Sequence, residues 1–533
     1  MRLRTFIACF LLAACTSPEA AREYADRESL SVLAAKEREW RGSHRNIPLA
    51  TPADRLYASL IDPAHGLAKS EDVLLELDSI LALAARNSRE LQNAKESLHL
   101  TALDYLAEEE RYGFIPTLSG GATKRESPTG DSLDLGGDFG ISKLLEHGAE
   151  IGAGFALTGL NVTGSGLTTD SVLSLTAALP LLRNSRLNAA DERLTQADRD
   201  VLYAWRTFER FKQRLAVDVV SSYLLALSSS RRLANEEANV ASLVRARERN
   251  ESLFSEGRIS IVEVGQARQQ VFTAENRLVL ARQNVERTLD DLKQLLGLPV
   301  DVRLKLRLED LDALGADVQD AWRPAEPVAL KAGLRNRLDL RNSVDAMSDA
   351  LRRQLLAEDV LRPALDLSAT YSLPSAAGKP LRFDGSSDTW SLGLNLDFAI
   401  DSHAESFALR GSDIALMRAQ RTQEELAETV KLEVRDALRR LDSAASNWRI
   451  AGEAVKLAEQ RAASTRELME EDRAITRDYL ESQEALIRSQ NDHVDAAVEF
   501  RIAWLRLFRD TGTLSVSPEG LDHELARHLF VDE

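Results

Sequence analysis

From about Ser185 to Glu256 the chain contains no proline, and the second half repeats this pattern from about His403 to Glu471. In the first run Ala216, Val220, Tyr223 and Leu227 recur at spacings of four, three and four; in the second, Leu426, Val430, Val434, Leu438, Leu441, Ala445 and Trp448 follow in heptad-like order. Each run therefore reads as one helix of about 70 residues, roughly 105 Å long at 1.5 Å per residue. A rod of that length cannot bury both its faces inside one compact domain. This feature argues against the three or four ordinary domains that 533 residues would otherwise suggest.

The rods belong to a unit that is written twice. Ala85-Arg86-Asn87-Ser88 with Leu91 is echoed by Leu334-Arg335-Asn336-Arg337 with Leu340. Ile115-Pro116-Thr117-Leu118-Ser119 is answered by Arg362-Pro363-Ala364-Leu365-Asp366-Leu367-Ser368. Val219-Val220 with Tyr223 parallels Glu433-Val434 with Ala437, and Leu292 with Gly297 parallels Leu507 with Gly512. Each half is expected to hold a leading helix (Val73 to Glu110, Val328 to Asp359), strands, the long rod, a tip, and a returning helix (Ser260 to Gly297, Thr476 to Gly512). The expected organisation is a first repeat over 73–300, a linker over 301–327, a second repeat over 328–512 and a tail over 513–533.

The strand segments lie between leading helix and rod. Leu133, Leu135, Gly137, Phe139 and Ile141 alternate with polar or small residues, as do Ile151, Ala153, Phe155 and Leu157; Val172, Ser174 and Thr176 follow. The second half offers Leu365, Leu367, Ala369 and Tyr371, then Trp390, Leu392, Leu394 and Leu396. Runs near ten residues with one apolar face suit strands of a membrane barrel, with Trp390 a candidate interface anchor. The same alternation suits a soluble sandwich with one wet face. After Thr16 no apolar run of about 18 residues occurs, so any passage through a bilayer would need a barrel.

The N-terminus tips that balance. Arg2 and Arg4 precede a short apolar run, Phe6 to Ala14, which fits a secretory signal over 1–14. Leu12-Ala13-Ala14-Cys15 resembles the bacterial lipobox, which predicts a lipidated Cys15 opening an extension over 15–72; Thr16 after it implies sorting to the outer membrane. Cys9 leaves with the signal, so both cysteines are accounted for, and neither a disulfide scaffold nor a four-cysteine metal site is possible. With 67 Lys and Arg against 84 Asp and Glu, the net charge of −17 makes a nucleic-acid partner unsuited to this chain. No HExxH, GxSxG, Walker or full GxGxxG pattern occurs, so neither an enzyme nor a cofactor is expected.

The tips carry the candidate functional residues. Gly257 supplies the left-handed residue that ends the first rod, and Ser260-Ile261-Val262-Glu263 is a capping box, with Ile259 and Val264 as its hydrophobic staple. Glu263 has capping as its plain reading. Glu471-Asp472-Arg473-Ala474-Ile475 occupies the equivalent place in the second half. Beyond it, Asp478 and Glu481 fall three apart on one face of the first helical turn, where they are either two solvated acids or part of a site. Arg258 and Arg473 could pair with acids of neighbouring tips, such as Glu256 or Glu471.

This order of elements, with Pro180-Leu181-Leu182-Arg183-Asn184 leading into the rod and Ser255 to Val264 at its tip, resembles the TolC family, and within it the lipoprotein branch of OprM-like and NodT-like channels. The resemblance runs from about Val73 to Gly512. It implies an α+β chain: an outer-membrane β-barrel continued by a long α-helical periplasmic barrel. It further implies an obligate homotrimer in which four strands per copy close a twelve-stranded barrel and twelve helices form a tunnel. Asp478 and Glu481 match the paired acids that line the family's periplasmic constriction, and a ring of six carboxylates would favour cations. Asp472 stands where the family has glycine. The implied role is the exit duct of a tripartite efflux or type I secretion system, its tips (Gly257, Arg258, Glu263, Asp472, Arg473) meeting a periplasmic adaptor with an inner-membrane pump behind it. One departure is visible: the first half's strand region is nearly twice as long as the second's, so an extra hairpin is expected near Ser132 to Leu157. The competing class is a lipid-anchored coiled-coil spacer or adaptor, although an adaptor carries one helical hairpin where this chain carries two.

Overall fold

The computed structural model describes residues 17–42, 72–125, 132–145, 148–162, 166–185, 189–314, 324–376, 378–383, 385, 387–398, 400–471, 473–517 and 520–522. In chain order, helix α1 (Pro18–Arg41) precedes strand β1 (Asp72–Leu75) and helices α2 (Leu77–Asn87) and α3 (Arg89–Glu109). Four strands follow: β2 (Ile115–Arg125), β3 (Ser132–Leu144), β4 (Glu150–Val162) and β5 (Gly166–Pro180). Next come α4 (Ala189–Ser255), α5 (Ile261–Leu296), β6 (Arg303–Leu306), α6 (Glu309–Leu314), α7 (Glu326–Asn336) and α8 (Leu338–Asp359). The chain ends with β7 (Ala364–Pro374), β8 (Thr389–Asp397), α9 (His403–Glu470), α10 (Thr476–Asp510) and a short pair, β9 (Ser515–Ser517) and β10 (Gly520–Asp522). The rods α4 and α9 are uninterrupted over 67 and 68 residues, as the proline-free runs predict.

Two compact units divide the chain, one built from 1–47, 97–206 and 341–424, the other from 48–96, 207–340 and 425–533. Each sequence repeat contributes to both. In the first unit β2-β3-β4-β5-β7-β8 form one antiparallel sheet in that order. The helices of this unit are tied by Asp349, buried on α8, which accepts from Tyr203 (2.6 Å) and pairs with Arg199 and Arg352 (2.8 Å each). Burial and the Asp349 carboxylate push the Tyr203 hydroxyl far above its ordinary pKa, so it stays a donor.

The second unit corrects the leading helices, which are not single. Val73 lies in β1, paired in parallel with β6, so the expected helix starts four residues later and the segment expected as a linker supplies a strand. The Tyr223 hydroxyl, fully buried on α4, donates to Asp310 (2.7 Å) and closes on the Leu75 carbonyl (3.2 Å), while Asp310 accepts from the Leu77 amide. Each leading helix then breaks at the repeated motif: Ser88 and Arg337 adopt extended backbone (φ −61°, ψ 121°; φ −63°, ψ 117°).

The cause of both breaks is another helix end. Gly297, after α5, has φ +69°, and a Cβ there would lie 2.1 Å from the Asn87 carbonyl oxygen. Gly512, after α10, has φ +70°, and a Cβ there would lie 3.0–3.1 Å from the Asn336–Arg337 backbone. Each glycine closes a left-handed cap, with Leu298 and Thr513 amides reaching back to Lys293 and Phe508 carbonyls. The paired echoes in the sequence, Asn87-Ser88 with Gly297 and Asn336-Arg337 with Gly512, are therefore two copies of one joint.

Candidate functional site

The first tip is built from local chemistry. The Gly257 amide donates to Phe254 and the Arg258 amide to Leu253, with Gly257 at φ +70°, which is a left-handed cap closing α4. Two residues later the Ser260 hydroxyl accepts from the Glu263 amide (3.4 Å) and the Glu263 carboxylate accepts from the Ser260 amide (2.9 Å), so the capping box restarts the chain as α5. Val264 is buried beneath it. Arg258 and Glu256 approach to 3.8 Å within this tip, with both side chains about half exposed.

The second tip has no such box. Ile475 takes the cap position without a side-chain hydrogen bond, and Asp472 lies outside the described residues. This turn is instead held by α4. Arg249 donates to the Met469 carbonyl (2.8 Å), Asn250, fully buried, exchanges hydrogen bonds with Thr476, and Ser242 meets the Tyr479 hydroxyl at 3.1 Å. Leu243, Ala246, Val271, Ala274, Met469, Tyr479 and Leu480 pack as one apolar cluster above the turn. These holding residues were not singled out from the sequence; the signal was weak, since Asn250 lies 226 positions from Thr476 and nothing local pairs them. Arg473 pairs with Glu471 at 3.1 Å, again within its own tip.

Asp478 and Glu481 both emerge exposed on the first turns of α10, as the spacing of three requires. Arg477 stands 3.9 Å from Glu481, a solvated i,i+4 pair of little energetic weight. The helix start is where negative charge is best tolerated, because unpaired amides point outward there.

The sheet of the first unit is the other candidate surface. One ladder crosses all six strands as Pro116, Ile141, Ala153, Leu175, Tyr371 and Trp390. The adjacent ladder, which points to the opposite face, reads Thr117, Gly140, Gly154, Ser174, Ser372 and Thr389. The apolar face is uncovered: Leu118 is 73% exposed, Trp390 77% and Leu392 65%. The polar face carries Asp134, Asp138, Asp366 and Asp397, with Ser119 donating to Asp138. On it a Cβ at Gly140, Gly152 or Gly154 would come within 2.7–2.9 Å of a cross-strand hydroxyl, the crowding expected of a concave face. Among the described residues no helix is long and apolar enough to cross a membrane.

The expected extra hairpin is β3 and β4, inserted between β2 and β5 in the same sheet, which then holds six strands. Cys15 lies outside the described residues. Helix α1, which begins at Pro18, packs within the first unit: Ser29 meets His99 (3.2 Å), Trp205 donates to the Leu33 carbonyl (3.2 Å) and Lys36 pairs with Asp198 (2.6 Å). Together these contacts run α1 parallel to α3 and antiparallel to α4, so Arg41 is the end nearer the sheet.

The described residues thus present a sheet that is apolar on one face, together with two helical hairpins on long rods. Residues 80–298, about two fifths of the chain, match the Outer membrane efflux protein family. Nodulation protein T of Rhizobium leguminosarum bv. trifolii is 28% identical over 198 residues, 37% of this chain and 41% of that protein. The outer membrane protein TolC of Escherichia coli (strain K12) is 24% identical over 230 residues, 40% of this chain and 44% of the relative. The alignments thus span about two fifths of each relative's length. Among solved structures, the Campylobacter jejuni CmeC outer membrane channel shares the fold with a TM-score of 0.60 at 14% identity, covering 85% of this chain and 88% of that one. The outer-membrane channel OprN gives 0.60 at 16% identity, covering 81% and 89%.

Proposed function

We propose that this protein is the outer-membrane exit duct of a tripartite efflux or type I secretion assembly, working as a homotrimer whose sheets close into a barrel and whose rods form a periplasmic tunnel. The observation that carries the reading is the pair of neighbouring ladders, one apolar and one polar across all six strands: a sheet so divided and uncovered on its apolar side fits lipid outside and water inside. The match of residues 80–298 to the Outer membrane efflux protein family and the fold shared with solved outer-membrane channels support it.

In this reading residues 1–14 are a signal and Cys15 carries lipid. His99 precedes Ile115 by about 24 Å of mostly helical rise, and about eight extended residues cover that distance. Anchoring at Cys15 therefore calls for the first turns of α1 to unwind toward the bilayer, and mass spectrometry that finds an unmodified cysteine would remove the anchor. The tips, with Gly257, Arg258, Glu263, Asp472 and Arg473, meet the helical hairpin of an adaptor, and a pump stands behind it. Asp478 and Glu481 of three copies line the aperture, where six carboxylates attract cations and raise one another's pKa.

Reconstitution in planar bilayers tests this. Trimers with cation-preferring conductance are expected, and Asp478→Ala with Glu481→Ala should raise the single-channel conductance and weaken the cation preference. A protein that neither trimerises nor conducts is a spacer instead; unchanged conductance in the double variant takes the acids out of the gate.

A further inference from the structure

The six strands are not equivalent in how they join the rest of the chain. β2 follows α3, β5 leads to α4, β7 follows α8 and β8 leads to α9, so four strands continue into four helices. β3 and β4 connect only to strands. Such a hairpin has three available places: folded into the lumen, projecting into solvent, or laid in the wall. Its register decides between them. Ile141 of β3 and Ala153 of β4 stand in the apolar ladder between Pro116 and Leu175, while Gly140 and Gly154 stand in the polar ladder between Thr117 and Ser174. A plug would need a polar outer surface and a solvated hairpin would not need an apolar stripe. β3 and β4 instead carry the same apolar side as their neighbours, with Phe139 and Phe155 directly paired on it.

Building on the duct reading, we infer that all six strands of each copy lie in the membrane wall, so that three copies close an eighteen-stranded barrel around a pore half as wide again as twelve strands would leave. Strands about 4.8 Å apart and tilted about 40° each occupy about 6.3 Å of circumference. Six strands give about 38 Å per copy, a circumference near 113 Å for three copies and a backbone diameter near 36 Å, against about 24 Å for twelve. The glycines of β3 and β4 on the polar face, set against hydroxyls of β2 and β5, let the inserted strands follow the concave side of such a wall.

Single-particle electron microscopy of the detergent-solubilised full-length protein tests the inference by counting strand sections per copy at mid-wall. Six per copy supports it. Four per copy, with residues 132–162 outside the ring, overturns it. A copy number other than three would defeat the trimeric reading while the count per copy still decides this one. Both outward ends of the hairpin's neighbours lie at the same edge, so excising 132–162 joins β2 to β5 directly. That variant is expected to show a wall about one-third shorter in circumference, and an unchanged wall would overturn the inference. Should the variant fail to fold, the strand count on the intact protein remains decisive.

Discussion

The two halves of this chain run through one order of elements yet secure equivalent points by different means. At the joints, Ser88 caps α3 through its own hydroxyl, accepting from the Leu91 amide, whereas Arg337 in the same place is buried and clasped by Asp339 (2.6 Å) and by Glu433. The first tip is closed by local capping, while the second is held from outside by α4. In the sheet the first half supplies four strands and the second two. A repeat therefore preserves topology and burial, while the polar chemistry that satisfies each break is free to diverge, because any group that pairs the orphaned amides will serve.

The comparison breaks most severely at the glycines. Gly297→Ala meets the Asn87 carbonyl at an impossible distance in a left-handed backbone and is expected to cost about 3 kcal/mol or more, read as a lowered urea midpoint. Gly512→Ala, with the same φ and a looser contact, should cost about half as much. Equal losses would mean that the two joints are equally tight and that the difference in approach is immaterial.

Asn250→Ala comes next, because it leaves the buried Thr476 hydroxyl without its partner; a loss of about 1–3 kcal/mol is expected, concentrated in the second tip by hydrogen exchange. Ser260→Ala should cost about 1 kcal/mol and loosen only the first. If Ser260→Ala loosened both tips equally, the contrast between local and external closure would fail. The smallest effect sharpens the joints. Burial raises the Asp339 carboxyl and the Arg337 guanidinium outweighs it, so its pKa sits below the usual value of 3.8. A depressed carboxyl contributes stability above its unfolded pKa that is lost as pH falls, so denaturation below about pH 4 should be less pH-dependent in Asp339→Asn than in the parent. An identical acid profile would show that this carboxylate is not coupled to folding.

Much of this was legible in the chain itself. Missing prolines and periodic apolar positions located both rods, and Gly257, Ser260 and Glu263 specified the first tip because their partners lie within six residues. The alternation of Ile141 to Leu157 marked two further strands. Other features were not legible. The broken leading helices escaped because Ser88 and Arg337 do not break helices by propensity; Gly297 and Gly512, more than 170 residues away, press into them. β1 and β6 escaped because four-residue strands carry no period, and the Asn250–Thr476 lock because neither residue is unusual where it stands.

What the sequence by itself determined, then, is whatever rests on contacts along the chain: helix length, caps, strand alternation, the doubling, and an acidic pair three residues apart near a helix start. What only the tertiary structure decided is the strand order that seats β3 and β4 between β2 and β5, the joints, and the external hold on the second tip. Local hydrogen bonds and side-chain periodicity are set by neighbours a few positions away, whereas sheet order and helix breaks depend on backbone groups from distant segments meeting at one place, which no window of sequence contains.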